Sequence, residues 1–162
     1  MKVTKWLLSM LLVLCMPFSM LPAMGLTASA ASGDYELVTD ASTLRAGDVI
    51  ILACDTKNAY AGAMGTNTYF TSVNSVSSAI EITLGGAADA WTLTTSEGLI
   101  GTSAAKKLNH TGSGTTTWTI SVSTSGTATI TSTSASYGSI KYNSTAPRFF
   151  ELCFRTNRYT DL

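Results

Sequence analysis

The stretch Thr117-Trp118-Thr119-Ile120-Ser121-Val122, followed after Ser123-Thr124-Ser125-Gly126 by Thr127-Ala128-Thr129-Ile130-Thr131, decides the fold class. In the first run Trp118, Ile120 and Val122 alternate with hydroxyl residues, the period of a strand with one face buried. Ser125-Gly126 supplies a tight turn, so the two runs read as a β-hairpin. Working outward, Ala79-Ile80-Glu81-Ile82-Thr83-Leu84 alternates and ends at Gly85-Gly86, and Ala90-Trp91-Thr92-Leu93-Thr94 follows. Asp34–Thr39 alternates as well, up to a break at Asp40–Thr43. Ala46-Gly47-Asp48 reads as a turn into Val49–Cys54, an apolar run expected to be buried on both faces. Thr68–Val73, Leu99-Ile100 and Ser139–Tyr142 complete about nine short strands. No helical period of useful length occurs. The expectation is an all-β chain, a compact antiparallel barrel of trefoil-like form, with a β-sandwich as the alternative.

Composition agrees and removes other classes. From Ala31 onward, 41 of 132 residues are Ser or Thr, about a third, and β-branched Thr suits a pleated, half-buried surface. The same stretch has 8 basic and 10 acidic residues, a formal charge of −2. So few cations give no electrostatic footprint for nucleic acid, and none is expected as a partner. Three Cys in 162 residues do not make a disulfide scaffold.

Residues 1–30 are of a different kind. Lys2 and Lys5 precede an apolar run from Trp6 to Leu26, which ends in Thr27-Ala28-Ser29-Ala30-Ala31. This is the three-part pattern of a secretory signal, with cleavage expected between Ala30 and Ala31. Contact with a membrane is then expected only through the uncleaved leader. Residues 34–150 form one β-domain, and the location is secreted or cell-surface.

Motifs that carry chemistry are scarce. Only one His is present, His110, and it sits in the polar turn Asn109-His110-Thr111-Gly112-Ser113-Gly114, where a solvated loop residue is expected. Cys54 and Cys153 are not at metal-ligand spacing, so neither a metal site nor a cofactor is expected. Ser103-Ala104-Ala105-Lys106 fits the S-x-x-K acyl-transfer pattern. That pattern needs a helix opened by its Ser, with S-D-N and K-T-G partners, and this chain offers neither. Glu81, Glu97, Asp48 and Asp89 lie beside turns or on exposed faces, where solvated carboxylates are expected rather than a catalytic pair. No catalytic residue is assigned. Asn109-His110-Thr111 and Asn143-Ser144-Thr145 match the glycosylation pattern, but chance matches are expected in so Thr-rich a chain.

Aromatic side chains are what remains for binding. Trp91 and Trp118 share faces with Leu93 and with Ile120 and Val122, so core positions are expected for both. Tyr60 and Tyr69 flank the Gly/Asn-rich segment 61–67 and are the expected exposed rings. They are the ligand-binding candidates, for a glycan or a surface protein.

The run from Tyr35 to Leu52, with Lys107-Leu108, the Trp118 strand, Ala128-Thr129-Ile130, Ile140-Lys141-Tyr142-Asn143 and Pro147-Arg148-Phe149, resembles a secreted β-domain of gut anaerobic bacteria. The resemblance spans about residues 35–150. Such domains are appended to larger extracellular proteins: nucleases, phosphoesterases and proteins with bacterial immunoglobulin-like repeats. The resemblance implies an accessory role and carries no catalytic residues. Similar domains continue past Pro-Arg-Phe with a strand of the type Tyr-x-Ser-Gly-Gln-x-x-(Ile/Val)-Gln-(Ile/Leu)-Tyr. Residues 151–162 here do not. One choice of synonymous codons from Phe150 onward, read in a shifted frame, spells Leu-Asn-Tyr-Ala-Ser-Gly-Gln-Thr-Ala-Ile-Gln-Ile. The expectation is therefore an out-of-frame tail over 151–162 and a domain lacking its closing strand, with an unpaired edge beside its first or neighbouring strand. A Cys54–Cys153 disulfide is not expected, because Cys153 lies in that tail. Three functions stay open: a non-catalytic module for surface, glycan or partner attachment, the leading domain of a truncated extracellular hydrolase (nuclease or phosphoesterase), and a structural spacer. Oligomeric state is left open.

Overall fold

Alternation of apolar and hydroxyl residues is realised directly as β-structure. The computed structural model describes residues 35–152. The leader with its cleavage site at Ala30 and Ala31, and residues 153–162 with Cys153, lie outside the described residues. The described chain is all-β, with three short 3₁₀ turns at Ala41–Thr43, Asp55–Lys57 and Val76–Ser78. Its strands are β1 (Val49–Ile50), β2 (Ala53–Cys54), β3 (Ala59–Ala61), β4 (Phe70–Val73), β5 (Ile82–Ala87), β6 (Ala90–Thr95) and β7 (Gly98–Leu99). They continue as β8 (Gly101–Ala104), β9 (Lys107–Asn109), β10 (Thr117–Val122), β11 (Ala128–Ser132), β12 (Ser139–Asn143) and β13 (Arg148–Leu152).

One antiparallel ladder path runs β1-β5-β6-β10-β11-β12-β13-β4-β3-β2, with β7 attached to β6 and a separate β8-β9 hairpin. The sheet curls as a half-barrel. Its two terminal strands, β1 and β2, are consecutive in the chain, with only Ile51-Leu52 between them. A single run, Val49–Cys54, therefore serves both ends of the sheet: its first half pairs with β5 and its second with β3. The reading of Val49–Cys54 as one strand buried on both faces is corrected to two short strands. Val49 stays 39 % exposed, while Leu52 and Cys54 are buried.

The hairpin forms as read, with Trp118 opposite Ser132, Ile120 opposite Ile130 and Val122 opposite Ala128. Gly126 takes the positive φ of the turn, and its N–H bonds the Ser123 carbonyl. Trp118 and Trp91 face each other across β10 and β6 and are both buried. Trp118 is 0 % exposed, and its indole N–H is directed at the Ile100 carbonyl at 3.4 Å. Around them pack Phe70, Met64, Ile82, Leu84, Leu93, Leu108, Ile140 and Phe149, the core of the curl.

Two boundaries differ from expectation, Gly85-Gly86 and Tyr35–Thr39, while Ser103–Lys106 agrees with it. Gly85-Gly86 does not end β5, which continues to Ala87, because the diglycine lies flat against Thr92 and Trp91 of β6. Ser103–Lys106 spans the β8-β9 hairpin, with Lys106 at positive φ in the turn, so its Ser opens no helix. Tyr35–Thr39 alternates in sequence but joins no ladder among the described residues.

Burial at the tryptophan pair sets a prediction. Trp118→Ala lowers unfolding free energy by about 3–5 kcal/mol, whereas Ser121→Ala, on the exposed face of the same strand, changes it by less than about 0.5 kcal/mol. Urea unfolding followed by Trp fluorescence measures both.

Candidate functional site

Beyond Trp118 the hairpin leaves the core. The β10–β6 ladder stops at the Trp118–Trp91 pair, while β10 continues to Val122. Pairing of β11 with β12 covers Ile130 and Thr131 and leaves out Ala128 and Thr129. The tip of the hairpin thus stands away from the sheet on both sides. It forms one wall of a groove of about 770 Å³. Ile120, Val122 and Ile130 line that wall. Ile50 and Leu52 line the opposite one, from the segment that joins the two ends of the sheet. Tyr35–Val38 lies along the groove, and Leu37 approaches Gly126 at the hairpin tip so closely that a Cβ there would sit 2.6 Å from its side chain. Leu37 is nonetheless 63 % exposed, the largest exposure of any big apolar side chain described. Glu36 and Asp55 lie among the lining residues, and no Lys or Arg does.

Tyr60 and Tyr69 are separated by this geometry. Tyr60, on β3 opposite Ala53 and Val73, lines the groove and is half-buried. Tyr69 is outside it, half-buried, with the Arg148 guanidinium 4.8 Å above its ring. Arg148 also lies 5.5 Å from the Phe150 ring, and its Nε is buried with no hydrogen-bond partner. A ring whose face carries a cation presents that face less readily to a ligand. Neither tyrosine is the freely exposed ring the flanking Gly and Asn suggested, because β3 and β4 draw the intervening loop onto the sheet.

Tyr35 also lines the groove. Its hydroxyl donates to Glu81 Oε1 at 2.8 Å. Burial, and then the hydrogen bond to the Glu81 carboxylate, push the phenol up to about 12. Of the carboxylates read as solvated, Glu81 and Asp89 are exposed, while Asp48 and Glu97 are half-buried and brace the backbone. Asp48 accepts from the Arg45 N–H at 2.7 Å, across the turn that enters β1. Glu97 accepts from the N–H groups of Met64 and Gly65 at 2.6 and 2.8 Å. Asp40 accepts from the Ser42 N–H, which holds its carboxyl below the usual range. No group of three His, Cys, Asp or Glu placed to hold a metal is found among the described residues. Cys54 is a buried free thiol, 3.6 Å from the Thr56 hydroxyl.

His110 is corrected from a solvated residue to a half-buried clamp. Nδ1 faces the Glu97 carbonyl at 3.1 Å and Nε2 faces the Gly65 carbonyl at 3.0 Å. Both partners are acceptors. A neutral imidazole has one N–H, so it can bond only one of them, whichever tautomer forms; the imidazolium bonds both. With the Glu97 carboxylate on Met64 and Gly65, the clamp ties loop 62–69 to the β6-β7 turn. The glycosylation matches are also occupied by local structure. Asn109 Oδ1 accepts from the Thr111 and Ser113 N–H groups. Asn143 is buried, and its Oδ1 accepts from the Thr145 and Ala146 N–H groups.

Two predictions follow. His110→Ala removes the clamp and should lower unfolding free energy by about 1–3 kcal/mol; thermal unfolding of both proteins measures this. In a phenolate absorbance titration, Glu81→Gln should move one tyrosine to lower pH and leave the others in place.

Comparison with family models, with curated proteins and with solved structures gives no match. No helix among the described residues is long and apolar enough to cross a membrane, a statement that does not bear on β-barrels.

Proposed function

We propose that this protein is a secreted, non-catalytic accessory module that attaches to its partner through the groove beside the β10-β11 tip. The carrying observation is the groove itself: about 770 Å³, lined by apolar side chains such as Leu37, Ile50, Leu52, Ile120 and Val122 together with a few polar ones. That size is in the range of specific ligand sites. Apolar side chains left open to water, Leu37 and Val49 among them, are the kind of surface that binding covers. The leader at residues 1–30 supports export, and the resemblance to accessory domains supports an attachment role. The carboxylates and the imidazole near turns are engaged in bracing loops, which favours attachment over chemistry.

The test is binding of the mature chain to immobilised glycans and extracellular proteins. Tyr60→Ala, in the groove, should weaken binding by about 5–30-fold. Val122→Glu should abolish it, and Tyr69→Ala, outside the groove, should leave it unchanged. Binding that depends on Tyr69 but not on Tyr60 or Val122 would move the site away from the groove.

A further inference from the structure

Arg148 is held by rings rather than by an acid. Its guanidinium lies 4.8 Å from the centre of the Tyr69 ring and 5.5 Å from that of Phe150. Phe150 is buried and Tyr69 half-buried, so the two rings fix the guanidinium on the outer side of β13, the side away from Phe149 and the core. Among the described residues no carboxylate pairs with Arg148, and its buried Nε has no hydrogen-bond partner. A half-buried guanidinium ordinarily gains hydrogen bonds or an ion pair for the water it gives up. Attraction to the ring faces offsets part of that loss, but it uses none of the five N–H donors. The two Nη groups and the Tyr69 hydroxyl also have no hydrogen-bond partner among the described residues, and unlike Nε they are not closed off from solvent. The rings therefore hold a planar donor fork in one orientation with its outer donors free.

The surroundings narrow what this fork can take. Arg148 has register partners on both sides, Asn143 of β12 and Thr71 of β4, so no strand edge is open to a peptide backbone at this point. A ligand here must be held by side chains. Lys107 is exposed on β9, which lies against β13, and it alternates with the buried Leu108, so a second cation stands on the outer side. Two cations favour an anion, and the pair of Nη groups matches the two oxygens of a carboxylate. The Tyr69 hydroxyl beside them suits a ligand that carries hydroxyls of its own. The groove, with Glu36 and Asp55 and no cation in its lining, has the opposite charge, so the two sites are separate. We infer that Arg148, positioned by Tyr69 and Phe150, binds the carboxylate of an acidic saccharide, a uronic acid sugar, on the outer face of β13. This inference goes beyond the attachment reading above and does not depend on it.

The experiment is titration calorimetry of the mature chain with a galacturonate tetrasaccharide, with its methyl ester, and with a tetra-aspartate peptide blocked at both ends. The tetrasaccharide should bind, more weakly as salt rises, and the uncharged ester should bind at least about 10-fold more weakly. Arg148→Gln should weaken binding of the tetrasaccharide by about 10–100-fold. Arg148→Lys keeps the charge but loses the planar fork, and should weaken it by about 10-fold. Tyr69→Ala releases the guanidinium and should weaken it as well; this variant serves if neither Arg148 variant folds. Val122→Glu, in the groove, should leave it unchanged. Equal binding of the ester, unchanged binding in both Arg148 variants, or no binding of the tetrasaccharide overturns the inference. Equal or tighter binding of the aspartate peptide also overturns it, in favour of an acidic protein partner. Tetrasaccharide binding lost in Val122→Glu but kept in Arg148→Gln places the sugar in the groove, which overturns the inference and leaves the attachment reading standing. Tetrasaccharide binding that depends on Arg148, with no groove-dependent attachment, removes the attachment reading alone.

Discussion

Every strand in this chain must find partners for its backbone, and the run Val49–Cys54 does so for both ends of the sheet. Its first two residues pair with β5 and its last two with β3. That divided allegiance makes ten strands curl instead of lying open. It also explains why an apolar run that reads as one strand appears as two. A chain changing partner at Ile51-Leu52 cannot keep a continuous ladder on either side. Because this run spans the rim, Ile50 and Leu52 become one wall of the groove. The architecture and the candidate site therefore share a cause.

The hairpin supplies the other wall by being longer than its neighbours. Where β6 and β12 accompany it, the face of β10 is core, and Trp118 is fully enclosed. Past that point the same alternation continues with Ile120 and Val122, which are only half-buried. One pattern of residues thus serves stability at one end and an interaction surface at the other.

This is also where reading from sequence reached its limit. Alternation at Ile82–Leu84, Trp91–Leu93 and Trp118–Val122 was legible because a period of two has one physical meaning on a half-buried sheet. It could not tell Trp118 from Val122, since burial depends on how far the neighbouring strands extend. Gly85-Gly86 read as a stop because glycine weakens strands, yet cross-strand pairing carried β5 through it. The β8-β9 turn was missed because Lys106, not glycine, takes the left-handed conformation. Tyr60 reached the groove and Tyr69 did not, a distinction made by β3-β4 pairing and invisible in the Gly-rich segment between them. The role of His110 depends on carbonyls 13 and 45 residues away in the chain, and no local motif signals them.

The central claim is that β11, β12 and β13 are held in continuous ladders while Tyr35–Val38, beside the groove, joins none. Residue-resolved hydrogen exchange of the protein alone tests it most directly. The account predicts strong protection in β11, β12 and β13 up to Phe150, and near-intrinsic exchange for the amides of Tyr35–Val38 at the same pH and temperature. Protection of Tyr35–Val38 equal to that of β12 would mean that this segment already has a ladder partner and that the groove is filled.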